Sequence, residues 1–298
     1  MSLLPPYPLI RDGLDQGRVI PFLGSGASLG PREPDAVWDM DRAAYLPKAN
    51  ELARYLAQKT EFPKDEPPDL ATVAQYYSVV GGRDPLYEKL HKIFNRDYPL
   101  TSLHTFLADV SQPLLIVTTN YDDLIERAFK AKPRAYDVVI HTSDPTIGDR
   151  LLWWPHGAPE PLEVNPNKLD IDLQKVTVVY KMHGAVDRRE PNRDQYVITE
   201  DDYIDFLARM TKSKAIPAIF AEPFQSRPFL FLGYGLRDWN LRVVLNRIEK
   251  DSRRQPKRIT SWAIQYQPSA LEQRFWQERG VEVYDMAIEE FVTKLTRR

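Results

Sequence analysis

Pro113-Leu-Leu-Ile-Val-Thr-Thr-Asn-Tyr-Asp122 is the stretch on which the fold turns. Pro113 to Thr118 is apolar and β-branched without alternation, the pattern of a strand covered on both faces. Polar residues follow at once, and a helix is expected from Tyr121 to Lys130, with Asp122 and Asp123 in its first turn beside the positive end of the helix dipole. The same step recurs along the chain. Arg18 to Leu23 runs into Gly24-Ser-Gly-Ala-Ser28, with the next helix expected to begin at Ala27 to Leu29. Lys175 to Met182 runs into His183-Gly184, and Arg227 to Leu232 into Gly233-Tyr-Gly235. Each step places glycine or polar residues at the carboxyl end of a strand, where open α/β sheets bind ligands.

The remaining chain fits that reading. Ile259 to Ile264 and Val281 to Tyr284 read as strands, with helices near 269–278 and at the end. Thr199-Glu-Asp-Asp202 carries a capping-box pattern, and Leu241, Val244, Leu245 and Ile248 fall at helical spacing. From about 47 to 110 the pattern is helical throughout, with helices expected at 69–80, 84–95 and 101–109. The expected fold class is α/β: a Rossmann-like, doubly wound, mostly parallel sheet with a helical insertion or subdomain, all in a single domain over residues 1–298. Residues 131–174 yield only one strand-like run, Tyr136 to Ile140, and leave Trp153-Trp154 without a role.

Composition narrows the function classes. The 298 residues carry a net charge of −2 and no cysteine. Disulfides, a cysteine nucleophile and a thiolate zinc site are excluded. The near-neutral charge gives no general attraction to nucleic acid or anionic membrane, so direct nucleic-acid binding is not expected. The start, Met1-Ser-Leu-Leu-Pro-Pro, lacks the basic and apolar regions of a secretory signal, and no apolar run approaches a membrane span. The expected location is cytoplasmic. No histidine pair has metal-ligand spacing, and no Gly-x-x-x-x-Gly-Lys-Ser/Thr loop is present.

Among the strand-end residues, Gly24, Ser25, Gly26, Ala27 and Ser28 suit the approach of a diphosphate to backbone amides, or form an ordinary tight turn. Asn120 offers both donor and acceptor to a ribose or a water, or caps the following helix. Asp122 has the same choice between site and helix start. His183 is the candidate general base; a packed, non-functional histidine is the other reading. Gly233, Gly235 and Asp238 offer a place for the second half of a dinucleotide, or form a turn and helix start with Asp238 near the cap.

Taken in order, the glycine turn, Thr118-Thr-Asn-Tyr-Asp122, Lys181-Met-His-Gly184 and Phe231-Leu-Gly-Tyr-Gly-Leu-Arg-Asp238 resemble the SIR2-like domains, relatives of the sirtuins. Ser25 stands where that family usually has alanine, and Thr119 where it usually has glutamine. The chain also lacks the four-cysteine zinc module of sirtuin deacetylases. The resemblance is nearest to the SIR2-like NAD+ hydrolases of bacterial anti-phage defence. It implies cleavage of NAD+ to nicotinamide and ADP-ribose, with Asn120 and His183 catalytic and NAD+ as substrate without a metal. It also implies a homo-oligomer and a separate sensor, ATPase or nuclease partner. A non-catalytic NAD+ or ADP-ribose sensor and an NAD-dependent protein deacylase or ADP-ribosyltransferase are the alternatives.

Overall fold

A computed structural model describes residues 4–30, 32, 36–42, 44–144, 146–211, 216–234 and 260–297. Its centre is a sheet of nine strands: β1 (Ile20–Leu23), β2 (Leu115–Thr118), β3 (Tyr136–His141), β4 (Leu151–Trp154), β5 (Leu162–Val164), β6 (Thr177–Lys181), β9 (Phe229–Leu232), β10 (Ser261–Gln265) and β11 (Val281–Asp285). A separate two-stranded ribbon joins β7 (Gly184–Ala185) to β8 (Gln195–Tyr196). The order across the large sheet is β11-β10-β9-β1-β2-β6-β3-β4-β5. Pairing is parallel from β11 to β3, and the β3–β4 and β4–β5 pairs at one edge are antiparallel, so that β4 alone is reversed.

Ten helices surround the sheet among the described residues. On one face lie α1 (Tyr7–Asp15), α5 (Ser102–Asp109), α6 (Leu124–Lys130) and α10 (Ile288–Thr296), which contribute Leu14, Phe106, Phe129 and Phe291 to one core. The other face packs Phe206, Phe220, Phe224 and Trp276 from α7 (Glu200–Thr211), α8 (Ala218–Ser226) and α9 (Ala270–Gln277). The strands serve both layers by alternation: Phe22 and Tyr180 enter the second core, whereas Leu23 and Val179 enter the first. A strand wetted on neither side reads as an unbroken apolar run, which is why these segments were legible. The doubly wound, mostly parallel expectation holds.

Between β1 and β2 stand α2 (Ala49–Lys59), α3 (Leu70–Gly81), α4 (Arg83–Phe94) and α5. The first three have a core of their own, built on Leu52, Leu56, Val73, Leu86 and Leu90 and closed by Tyr121 and Tyr196.

Three local expectations change. No helix begins at Ala27; Ser25–Ser28 is a single 3-10 turn, because Gly26 and Ala27 give their amides to Gly233 and Gly24. Helix α6 begins at Leu124, not Tyr121, so Asp123 is its N-cap residue and Asp122 precedes it. The region 131–174 contains β3, β4, β5 and the 3-10 turn Pro166–Lys168. Its weak signal has a physical cause: β4 and β5 are short, and β5, the edge strand, is largely exposed, so no apolar pattern marks it. The capping box of α7 is present, with Thr199 and Asp202 bonding each other's amides at 3.0 and 3.1 Å. The helix expected over Leu241 to Ile248 lies outside the described residues.

Candidate active site

β1 lies at the point where the winding of the sheet reverses, with the next strand in the chain, β2, on one side and the much later β9 on the other. Crevices form at the carboxyl ends of strands at such a switch point. The loops after β9, β1, β2 and β6 therefore converge, although they come from four distant parts of the chain. A cavity of about 270 Å3 opens there. Its polar wall is Gly24, Ser25, Ser28, Thr119, Asn120, Asp122 and His183; its apolar wall includes Leu46, Leu52, Leu70 and Phe94 from the helical segment. Among the described lining residues there is no lysine or arginine, and Asp122 is the one carboxylate.

Asn120 is locked in place. Its amide nitrogen donates to the Gly24 carbonyl and to Ser28 Oγ, both at 3.0 Å, and its backbone N–H donates to Thr118 Oγ1 at 3.0 Å. The helix-cap reading fails, since α6 starts four residues later and Asn120 bonds across to β1 instead. Asp122 does serve the helix entry, accepting from the Leu124 amide at 3.1 Å, while still lining the cavity.

His183 leaves β6 with its ring edge-on to Tyr203 and Phe206, at centroid distances of 5.6 and 5.3 Å. Its carbonyl accepts from Val197 at 2.9 Å. Gly184, at φ +88°, cannot be another residue: a Cβ there would sit 2.0 Å from the Gln195 carbonyl oxygen. The His-Gly pair is thus a histidine held at a strand end by a turn that only glycine can make.

The glycine turn works differently from a phosphate cradle at a helix start. Gly24, Gly26 and Ala27 give their amides to the carbonyls of Leu232, Gly233 and Gly24, at 2.9–3.0 Å. What remains directed to the cavity are Ser25, Ser28 and the edge of Gly24. Gly233 also borders the cavity, whereas Gly235 and Asp238 lie outside the described residues.

One neighbour escaped the sequence reading. His141 ends β3, which pairs with β6, and its ring meets Phe206 edge-on at 5.0 Å, as His183 does. Burial pushes His141 down to about 3, helped by the Arg209 and His183 charges, so it is neutral near pH 7. Part of the signal was available, since His141 also ends a strand; that this strand lies beside the one leading to His183 was decided by the fold.

Among the described residues no cluster of three or more histidine, cysteine, aspartate or glutamate side chains is placed to hold a metal ion. Nor is any described helix long and apolar enough to cross a membrane.

The profile of the SIR2-like domain matches residues 114–284, more than half of the chain and three of the four converging loops. The chain belongs to the SIR2-like domain family. Its relatives include proteins named NAD(+) hydrolase ThsA from Bacillus cereus (strain MSX-D12), 29% identical over 68% of this chain and 37% of that protein, and from Acinetobacter baumannii (strain 532279), 31% identical over 66% and 35%. A third, Defense-associated sirtuin 2 of Bacillus subtilis, is 22% identical over 93% of this chain and 24% of its own length. The chain thus spans between 24% and 37% of the length of these curated relatives. The SIR2-like assignment covers the strand ends after β2, β6 and β9, the same loops on which Asn120, His183 and Gly233 stand.

Proposed function

We propose that this protein hydrolyses NAD+ to nicotinamide and ADP-ribose. The observation that carries the reading is the meeting of Asn120 and His183 in one cavity whose described lining has no cation. In this reaction the bond between ribose C1′ and the nicotinamide nitrogen breaks, its electron pair leaves with nicotinamide, and C1′ gains oxocarbenium character. A water oxygen then bonds to C1′, and its proton passes to a base. A wall without lysine or arginine avoids repelling that positive charge, and the Asp122 carboxylate favours it. His183 is the base toward the water or a ribose hydroxyl. Asn120, fixed by three hydrogen bonds, holds the ribose or the water through its side-chain oxygen. The turn Gly24, Ser25, Gly26, Ala27 and Ser28 seats the diphosphate chiefly through Ser25 and Ser28, since three of its amides are already taken.

The names of the relatives, NAD(+) hydrolase ThsA and Defense-associated sirtuin 2, support the same reaction and a part in defence, which we take to be defence against phage. In that setting the chain acts in the cytoplasm as a single SIR2-like unit with a helical insertion, gated by self-assembly or by a separate sensor subunit.

The test is nicotinamide release from NAD+ by the purified protein over a wide range of protein concentration, with His183→Ala alongside. Release by the wild type and loss of about 10²-fold or more in the variant support the reading. A steep rise with protein concentration supports gating by assembly. Saturable NAD+ binding without release under every condition would replace hydrolysis by a sensor role, and release only with an acyl-lysine or acceptor protein would point to transfer chemistry.

A further inference from the structure

Lys181 belongs to the same Lys-Met-His-Gly stretch as His183 but does not line the cavity. It is 1% exposed, one of the largest fully buried side chains in the described protein. Strand alternation explains its direction. Tyr180 and Met182 enter the core of α7 and α8, so Lys181 faces with Val179 toward α5 and α6. There its ammonium donates to the Asp122 carbonyl and, at 2.8 Å, to Glu126 Oε1 on α6. Burial pushes the Glu126 carboxyl up while the Lys181 charge pulls it down. The second Glu126 oxygen is buried without a hydrogen-bond partner.

Such a pair is a poor way to gain stability. Removing two charges from water costs several kcal/mol per ion, and well-packed neutral side chains often serve as well. Its location offers another use. Two main-chain bonds already join the chain after β6 to the end of β2 and the loop that follows it: Met182 N–H to the Thr118 carbonyl and Val186 N–H to the Tyr121 carbonyl, both 2.9 Å. Lys181 adds a third link between them, at Asp122, two residues from Asn120. Its own main chain is two residues from His183.

We infer that Lys181 is a positioning residue, whose buried ammonium holds the Asn120–Asp122 loop at a set distance from His183. This rests on the NAD+ hydrolysis proposed above. It extends that reading by assigning a role to a residue that touches no substrate. A loop freed from this link retains its fold through the two main-chain bonds, and Asn120 stays tied to Gly24 and Ser28, but the loop as a whole shifts relative to His183, and a displacement near 1 Å costs about 10²-fold in rate.

The experiment compares the wild type with Lys181→Met and with the doubly neutral Lys181→Met/Glu126→Gln protein. The double variant strands no buried charge. Thermal midpoint, kcat and KM for NAD+, and backbone hydrogen exchange over residues 119–123 are read on each. Expected for the double variant are a midpoint close to wild type, kcat down by about 10²-fold, KM within a few-fold, and faster exchange confined to that loop. Lys181→Arg, which keeps charge and donors, is expected to recover part of the loss. A double variant that keeps both midpoint and kcat overturns the proposal, and so does one in which kcat falls only in step with the midpoint. If the wild type releases no nicotinamide, the hydrolysis reading fails by itself. Exchange at 119–123 then decides the positioning role alone: unchanged exchange in the double variant overturns it, and local acceleration upholds it.

Discussion

The amide of Gly26 donates to the carbonyl of Gly233 at 2.9 Å, closing the turn after β1 onto the turn after β9. Two loops more than half the chain apart are in main-chain contact, and the glycines are there to permit it. That contact forms one end of the cavity that holds Asn120 and His183.

Gly233→Ala is therefore expected to destabilise the protein. Gly233 has φ +69°, and a Cβ would lie 2.3 Å from the Ala27 nitrogen and 2.5 Å from the Gly26 carbonyl carbon, backbone that has no room to yield. Left-handed backbone and overpacking together cost about 2–4 kcal/mol. Denaturant melts of the alanine variant check this, and a loss below ~1 kcal/mol would mean that the two turns separate readily.

Asn120→Ala removes the donor to the Gly24 carbonyl and Ser28 Oγ. The expected stability loss is about 1–2 kcal/mol, the typical scale for acceptors left unpaired. The loss of nicotinamide release should be far larger than that. Asn120→Asp is expected to fare worse in stability, since it sets a carboxylate against a carbonyl oxygen. Comparable melting of the two variants would argue against the assigned amide orientation.

Two buried histidines make stability depend on pH. Burial lowers His104 to about 4, with Lys181 adding to that effect and Asp122 opposing it. His141 lies at about 3 through burial and the Arg209 and His183 charges, with Asp149 opposing. Both folded values lie below the ordinary 6.5, so between about 3 and 6.5 the unfolded chain binds more protons. Their contribution is complete above pH 6.5 and is lost as the pH falls through the folded values. Thermal midpoints measured from pH 7.5 to 4 should decline below about 6.5, and the slope should be shallower in His104→Gln and in His141→Phe. Identical slopes in all three proteins would refute the assignment.

Trp153 and Trp154 have separate roles. Trp153 packs against the main core and donates Nε1–H to Asp137 Oδ2 at 2.9 Å, while Trp154 donates to the Ala158 carbonyl at 3.1 Å. Asp137 is buried, and its other oxygen accepts from the His156 amide at 2.9 Å. Trp153→Phe leaves Oδ2 without this donor and is expected to cost about 1–3 kcal/mol. Trp154→Phe frees only the carbonyl of half-buried Ala158, which water can reach, so it should cost less, and chemical denaturation of the pair tests the order.

Legibility followed burial. The central strands β1, β2, β6 and β9 were readable because both faces are covered, and helices α3, α4 and α5 because one face is. β4 and β5 were not: both are short, and the exposed edge strand β5 needs no apolar pattern. At the site, Asn120 and His183 stood out as polar residues directly after buried runs. His141 has the same placement, yet its strand lay in a proline-rich stretch to which the sequence assigned no firm structure. The glycine turn was correctly placed at a strand end, but the reason for its glycines was not visible, because their partner Gly233 is distant in sequence.

From the sequence alone come the α/β alternation, the helical segment between β1 and β2, the SIR2-like motif order and the pair Asn120 and His183. Periodicity and strand-end position are local properties, written within a few residues of each other. Which loops meet is a different matter. That Asn120 bonds Gly24, that Gly26 bonds Gly233, and that Lys181 reaches from β6 to the carbonyl of Asp122 were decided by the order β9-β1-β2-β6 in the folded sheet. Strand order is set by the packing of whole layers, and no local pattern in the chain records it.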